Sequence, residues 1–146
     1  MIVLKKISVS EIESLVRLSF TGDEDLIFKY HICETGLDDC VSDTVKRIKE
    51  MAKLQKLDYY KVVYDKKPIG FAVMCYKRLY SFGISIYFRK SEVLKDYWQQ
   101  IKGKLGNEFL CSLNAKNERG IKFLKKNGMK VGEIDKKNNI VTLVNI

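Results

Sequence analysis

The sequence predicts an α+β (α/β) fold in which a mixed central sheet of six to seven strands is covered by about four helices. Two stretches carry this prediction. Ile69–Tyr76 is a near-continuous apolar run, which is typical of a central strand covered on both faces. Between Leu79 and Met129 the pattern alternates strand, helix, strand, helix, as in β-α-β units. The whole chain gives the order β-α-α-β-β-β-α-β-α-β-β.

The first third of the chain predicts a strand followed by two helices. Ile2–Ile7 is a short apolar strand, and Ser8 with Glu11 has the pattern of a capping box. The next helix ends at Thr21-Gly22-Asp23, and its buried face is predicted to contain Val9, Ile12, Leu15, Val16 and Ser19. We expect the second helix to begin at a cap on Ser42 or Asp43. Its predicted apolar face contains Val41, Val45, Ile48 and Ala52, with Leu54 nearby.

The segment between these helices, Glu24–Cys40, has a poor pattern. A short helix is possible where apolar residues cluster, at Leu26, Ile27, Phe28 and Tyr30, and Gly36 would break it. The rest of this segment is interpreted as a solvated loop.

The middle of the chain predicts a hairpin and a third strand beside it. Tyr59–Tyr64 alternates weakly as a strand, and Asp65–Pro68 is a turn that accommodates the only proline. After the central strand, Leu79–Phe88 alternates as another strand, in which Gly83 indicates a bulge or a close approach of two backbones.

The last third predicts two helices, a strand between them and a final hairpin. The first helix has one large apolar side, typical of packing on a sheet, with Val93, Leu94, Tyr97, Trp98, Ile101 and Leu105. A strand at 108–114 and a helix at 117–129 follow. Lys130–Asp135 and Asn139–Asn145 then form the hairpin.

A chain of 146 residues is long enough for one domain, 1–146, with a substantial core. Its start, MIVLKKIS, does not resemble a signal peptide, and no apolar run approaches a membrane span, so we expect a cytoplasmic protein without membrane partners. Cys75 and Cys111 lie in apolar strands and are expected to be reduced core residues. Cys33 and Cys40, even with His31, match no zinc spacing, so no metal site is expected.

The net charge of +9 favours an acidic partner, either nucleic acid or a phosphate-bearing cofactor. The lysines are spread over helices and turns, as on any solvated surface, and no RNA-binding or helix-turn-helix pattern is present. Nucleic acid is therefore the weaker interpretation.

The junction between the predicted strand Leu79–Phe88 and its helix is a candidate anion site. Free amides and the positive end of a helix dipole point the same way at such a junction. Here Arg89, Lys90 and Ser91 surround it.

Residues 112–129, SLNAKNERGIKFLKKNGM, resemble the C-terminal signature of the GNAT (Gcn5-related N-acetyltransferase) superfamily. That signature is a strand, then N-x-x-A, an aliphatic pair and a helix closing on a basic-x-G-F turn. Asn117 falls on its Asn, Gly120 on its Ala and 127–129 on its closing turn. The hairpin ending in IGFAV is similar to the family's second hairpin. An ordinary β-α-β unit of another fold is the alternative.

The resemblance implies the GNAT acyl-CoA N-acyltransferase fold and transfer of an acetyl group from acetyl-CoA to an amine. It places the cofactor's pyrophosphate on the turn formed by Phe88, Arg89, Lys90 and Ser91, and the pantetheine or adenosine end against Asn117. Asn117 is equally suited to cap its own helix, and the two roles are compatible.

The resemblance leaves the acceptor unknown, either a small-molecule or a peptide amine. It places the segment 24–40 on the acceptor side. The ionisable residues of that segment are His31, Glu34, Asp38 and Asp39. They either line the acceptor site or lie in the solvated loop.

The sequence also departs from the family pattern. Glu92 and Leu94 stand where the phosphate loop has small residues, and Leu124 stands where many members place a tyrosine that protonates the leaving thiolate. No carboxylate or histidine lies in Leu79–Phe88, so the catalytic residues are unknown.

In these departures the sequence resembles GNAT-like proteins of tailed phages. They leave a second function open, that of a catalytically inactive GNAT-fold binding or structural protein, from a phage virion or a prophage. The oligomeric state is also open, and includes a homo-oligomer.

Overall fold

The computed structural model describes residues 1–23 and 36–145. Its strands are Ile2–Ile7 (β1), Asp58–Tyr64 (β2), Lys67–Cys75 (β3), Arg78–Ile84 (β4), Phe109–Asn114 (β5), Lys130–Asp135 (β6) and Ile140–Asn145 (β7). Its α-helices in these ranges are Ile12–Phe20 (α1), Leu37–Leu54 (α2), Ser91–Leu105 (α3) and Glu118–Lys126 (α4). The predicted order of elements is confirmed. The short helix predicted around Leu26–Tyr30, with His31 and Glu34, lies outside the described residues.

All seven strands form one sheet, in the order β1-β2-β3-β4-β5-β7-β6. Every neighbouring pair is antiparallel except β4 and β5. The central position predicted for β3 is confirmed, because 69–75 are all buried. Phe71 and Val73 face a core with α1 and α2, while Ala72 and Met74 face a second core with α3 and α4.

The predicted capping box is present, and it caps the 3-10 turn Val9–Glu11 that leads into α1. The Ser8 amide donates to the Glu11 carboxylate at 3.4 Å. Val9, however, lies in a 3-10 turn before α1 and is exposed, so its predicted place on the buried face is wrong. The buried Ser19 hydroxyl donates to the carbonyl of Leu15 at 2.9 Å, which satisfies it inside the core.

Helix α2 begins earlier than predicted, at Leu37 rather than after Ser42 or Asp43. Gly36 occupies the cap position, and Asp38 and Asp39 lie in the first turn, where carboxylates interact favourably with the helix dipole. The loop interpretation of these two aspartates is therefore wrong.

The buried face of α2 is also shifted toward its N-terminus relative to the prediction. Ala52 and Leu54 are exposed, whereas Cys40 is buried and Met51 is half-buried. Asp38 lies 2.6 Å from Nη1 of Arg17, an ion pair that connects the start of α2 to α1.

Strand β4 is shorter than predicted and ends at Ile84, not Phe88. The Ser85 amide still donates to the carbonyl of Ile69 at 2.8 Å, and the chain then turns into a 3-10 helix over Ile86–Phe88. Pro68, predicted in the turn, is the second residue of β3.

Gly83 marks a close approach of backbones, as one of its two predicted roles requires. A Cβ added at Gly70 would lie 2.1 Å from the Gly83 carbonyl oxygen, so β3 leaves no room for a side chain there. The bulge lies elsewhere in β4. Val73 pairs with Ser81 and Met74 with Leu79, which leaves Tyr80 as the extra residue.

Candidate functional site

The two parallel strands of the sheet separate along their length. Within the described residues β4 and β5 pair only at Arg78 and Leu110, near the start of each strand. Beyond that pair they diverge, and a cleft of about 610 Å³ opens between them. Residues around the starts of both following helices line this cleft, so α3 and α4 begin at its wide end; they include Arg89, Leu94, Asn117 and Arg119.

The cleft is lined from both faces of the sheet. Ser19 of α1 and Ile48 of α2 line it on one face, and Leu94 of α3 and Phe123 of α4 line it on the other. Its inner edges are β4 and β5. Among the residues that the structure describes, the facing edges of these strands have no strand partner beyond Leu110, so their amides and carbonyls are directed toward the cleft.

A buried carboxylate with two arginines stands at the wide end of the cleft. One oxygen of Asp23 lies 2.9 Å from Nη1 of Arg89, and the other lies 3.1 Å from Nη1 of Arg119. Asp23 follows α1, Arg89 precedes α3 and Arg119 is in the first turn of α4. One carboxylate therefore connects three segments that are distant in sequence, and the group as a whole carries one net positive charge.

The two arginines of this group differ in freedom. The side chain of Arg89 is 20% exposed, and its Nε donates to the Ile84 carbonyl at 2.9 Å. Burial lowers the pKa of Arg89, while the charge of Asp23 opposes that shift. The side chain of Arg119 is 44% exposed, so it is the cation that can turn toward a ligand.

The predicted turn from Phe88 to Ser91 is divided by the structure. Arg89 lines the cleft, whereas Phe88 packs against Tyr64, with ring centroids 6.3 Å apart. Lys90 and Ser91 are exposed at the start of α3 and do not line the cleft. No side chain caps α3 in the described part of the chain, so its first amides lack an acceptor within the helix.

Asn117 lines the cleft and also caps α4. Its Oδ1 accepts a hydrogen bond from the Gly120 amide at 3.0 Å, so the capping role is present. A Cβ on Gly120 would lie 2.8 Å from Nδ2 of Asn117, so a larger residue at position 120 would require the Asn117 side chain to shift.

The residues that could exchange protons are few. Leu124 is fully buried and does not line the cleft. Tyr97 lines the cleft, but burial raises its pKa, and its hydroxyl donates to the Phe71 carbonyl at 2.8 Å. Burial also raises the pKa of Tyr80, which keeps this cleft phenol protonated at neutral pH.

Of the polar side chains between Leu79 and Phe88 other than Tyr80, Ser81 lines the cleft, whereas Ser85 is buried away from it and Tyr87 is exposed outside it. Asp23 is already paired with two cations. Among the described cleft residues, Asp43 is therefore the carboxylate left to accept a proton.

The sequence did not indicate a role for Asp23, because Asp23 stands only at the end of a predicted helix. Arg119 was noted only as part of the segment that resembles the family. Nor did the sequence indicate a role for Arg47 or Arg78, which line the cleft from α2 and from the start of β4. In the sequence pattern, both arginines occupy positions typical of ordinary surface residues. Only the separation of β4 from β5 brings them to a common site.

Among the described residues, no group of three or more histidine, cysteine or acidic side chains is arranged to hold a metal ion. Over the same residues, no helix combines the length and the apolarity that crossing a membrane requires. Cys75 and Cys111 are free and buried, as predicted.

No family model matches the chain, and no curated protein matches it. Solved structures match over almost its whole length. An acetyltransferase from Thermus thermophilus aligns with a TM-score of 0.72 at 12% identity, covering 99% of this chain and 96% of that one. PaiA N-acetyltransferase from Thermoplasma acidophilum, in complex with coenzyme A, gives 0.65 at 17%, covering 99% and 98%.

A third match is the N-acetyltransferase PseH of Campylobacter jejuni in complex with acetyl coenzyme A. Its TM-score is 0.54 at 17% identity, covering 99% of this chain and 97% of that one. At such identities the likeness shows the fold, and the predicted GNAT acyl-CoA N-acyltransferase fold is confirmed.

Proposed function

We propose that this protein is an acyl-CoA-dependent N-acetyltransferase that transfers an acetyl group from acetyl-CoA to an amine. The observation that carries the proposal is the cleft between β4 and β5, which is open and lies beside the starts of two helices. The named structural neighbours include N-acetyltransferases with coenzyme A or acetyl coenzyme A bound.

The unpaired edges of β4 and β5 fit the central arm of the cofactor. Pantetheine is an extended chain with two amides, and such a chain can pair with a free strand edge as another strand would. Asn117 at the wide end can add a side-chain donor, because its Oδ1 is bonded to Gly120 and no described residue accepts from its Nδ2.

The start of α3 fits the phosphates. Its first amides are uncapped, Lys90 and Ser91 are exposed beside them, and Arg119 adds a partly exposed cation across the cleft. Glu92 in the same first turn opposes this charge, and it is exposed outside the cleft rather than directed into it. We place the pyrophosphate at this helix start, as the family resemblance implies for Phe88, Arg89, Lys90 and Ser91.

Bound acetyl-CoA supplies a thioester whose carbonyl carbon is attacked by the nitrogen of the acceptor. A carbon–nitrogen bond forms, the carbon–sulfur bond breaks and coenzyme A leaves as the thiolate. The nitrogen loses its proton to water, and the thiolate takes a proton from water. The described cleft offers no residue matched to both proton transfers, so the protein acts mainly by holding the two reactants together. Lacking one general acid–base group typically costs about 10²–10⁴-fold in rate, and we expect slow turnover.

Isothermal titration with acetyl-CoA tests this function. We expect binding by the wild-type protein and weaker binding by Asn117→Ala. Asn127→Ala is the matched control, because it also removes a side-chain hydrogen bond at an end of α4, to the Phe123 carbonyl at 2.8 Å, outside the cleft. No heat at millimolar acetyl-CoA, or equal loss in both variants, would contradict the proposal.

A catalytically inactive binding or structural protein, of the kind found in phage virions or prophages, is the second candidate. It is favoured by the fully buried Leu124 and by Arg89, which is held by Asp23 rather than free for a phosphate. Transfer of the acetyl group to any amine, lost in Asn117→Ala, would rule this candidate out.

A further inference from the structure

The narrow end of the cleft carries a second group of charged side chains, distinct from that around Asp23. Arg47 of α2 and Arg78 at the start of β4 both line the cleft there, with Tyr80 beside them. Both guanidiniums lower the pKa of Tyr80, although burial raises it more, so two cations act on one phenol. The Tyr80 hydroxyl lies 3.4 Å from the Arg47 carbonyl, which keeps this part of α2 against β4.

Neither arginine forms an ion pair with the described residues, in which four such pairs occur elsewhere. The contact of the Arg47 side chain is with a neutral group, since its Nε donates to the Asp43 carbonyl oxygen at 3.4 Å. The described carboxylates around these arginines are Asp43, which lines the cleft, Glu50, which acts on Tyr80 from α2, and Asp58, which acts together with Arg78 on Cys75. Two guanidiniums thus retain donors for an anion from outside.

This pair is too far from the proposed phosphate site to serve the same anion. Arg78 and Ile84 are the two ends of β4, and six residue steps along a strand span roughly 20 Å. Arg47 belongs to α2, which packs on the sheet face opposite α3 and α4. The 3′-phosphate of coenzyme A lies on the opposite side of the pyrophosphate from the pantetheine arm that would enter the cleft, so it also would not reach this pair. An anion bound by Arg47 and Arg78 would therefore come from a different molecule, and in a transferase that molecule is the acceptor.

We propose that Arg47 and Arg78 bind an anionic group of the acceptor, so that the substrate is an amine carrying a carboxylate or a phosphate. This inference rests on the proposed acetyl transfer and names the substrate class for the same cleft. Asp43, in the same part of the cleft, is placed to hold the acceptor's ammonium before it loses its proton. An amine with an attached anion complements both charges.

A series of amines with matched chains tests the substrate class. The carboxylate member is γ-aminobutyrate, the neutral member is 4-aminobutanamide and the cationic member is putrescine. O-phosphoethanolamine and ethanolamine form the phosphate arm and separate the two sources of anion. Release of the coenzyme A thiol gives kcat/KM for each amine, after titration has established whether acetyl-CoA binds.

We expect the carboxylate or the phosphate amine to exceed its neutral partner by roughly 10- to 100-fold in kcat/KM, the range of one or two charge-assisted hydrogen bonds. Arg47→Gln and Arg78→Gln should each reduce that preference at least about tenfold, chiefly through the KM of the anionic amines. Lys46→Gln and Lys77→Gln are the controls, since they remove neighbouring exposed charges outside the cleft and should keep the preference.

Three results would overturn the inference while leaving acetyl-CoA binding intact. They are equal or better use of the neutral or cationic amines, a preference that survives in both arginine variants, and no turnover of any amine in the series. Absence of acetyl-CoA binding by the wild-type protein would instead overturn the proposed function, and this inference with it.

Discussion

Asp23 should contribute more to stability than any other ionised side chain with a described ion pair. Its side chain is 11% exposed and those of Arg89 and Arg119 are 20% and 44% exposed, so Asp23→Asn leaves a largely buried guanidinium without its counter-charge. Breaking a fully buried pair costs about 3–5 kcal/mol. Because Arg89 keeps its bond to the Ile84 carbonyl and some contact with water, we expect a loss of about 2–3 kcal/mol.

Arg119→Gln should cost under about 1 kcal/mol, because its side chain is nearly half exposed. Arg17→Gln is the control. Its ion pair with Asp38 is the shorter one at 2.6 Å, but the two side chains are 46% and 86% exposed, so about 0.5 kcal/mol or less should be lost. The expected losses of stability therefore follow the burial of each ion pair and not its length.

Urea unfolding followed by tryptophan fluorescence measures these free energies. The only tryptophan, Trp98, is 3% exposed in the core, so its emission reports loss of tertiary packing. A double-mutant cycle on Asp23 and Arg89 should give a coupling free energy of about 2 kcal/mol. Equal losses for Asp23→Asn and Arg17→Gln, or a coupling below about 0.5 kcal/mol, would refute the argument.

Four further outcomes are expected. Leu124→Ala should lower the unfolding free energy by about 2–5 kcal/mol, because the side chain is fully buried, and a loss under about 1 kcal/mol would contradict that burial. Gly70→Ala should cost at least about 2 kcal/mol in the same assay, because the new Cβ would lie 2.1 Å from the Gly83 carbonyl oxygen; unchanged stability would contradict this contact. Burial raises the pKa of Cys111 from 9.0 to about 12. Between these two pH values the unfolded chain loses the thiol proton while the folded protein keeps it, so the free energy of unfolding should fall as pH rises from about 9 to about 12. Iodoacetamide at about pH 8 should label Cys75 and Cys111 only after unfolding, because both thiols are buried. Peptide mass reads the labelling, and labelling of either residue in the native protein within minutes would contradict their burial.

The sequence predicted most of the fold because its signals are local. The apolar run of β3, the capping box before α1 and the apolar side of α3 each follow from periodicity or from one hydrogen-bonding pattern. The errors concern element ends, as at α2. There the residues from Leu37 to Cys40 have a poor periodic pattern, which is typical of a loop, whereas the structure makes them the first turn of a helix.

The site was predicted less completely, for the same physical reason. Asn117 and Arg89 were found through a resemblance and through the rule that helix starts attract anions, and both line the cleft. Whether these two residues bind a cofactor remains a prediction. Arg89 illustrates the limit of such reasoning, because no local pattern indicates that a carboxylate 66 positions earlier in the chain lies 2.9 Å from its guanidinium.

The sequence by itself determined the order of elements, the central strand and the candidate helix starts, since each depends on residues that are neighbours along the chain. Only the tertiary structure decided that β4 and β5 separate after one pair, that Asp23 joins two arginines, and that Arg47 and Arg78 share a cleft. Those features depend on contacts between segments far apart in sequence. The geometry of such contacts is set by packing against the sheet, which no single segment encodes.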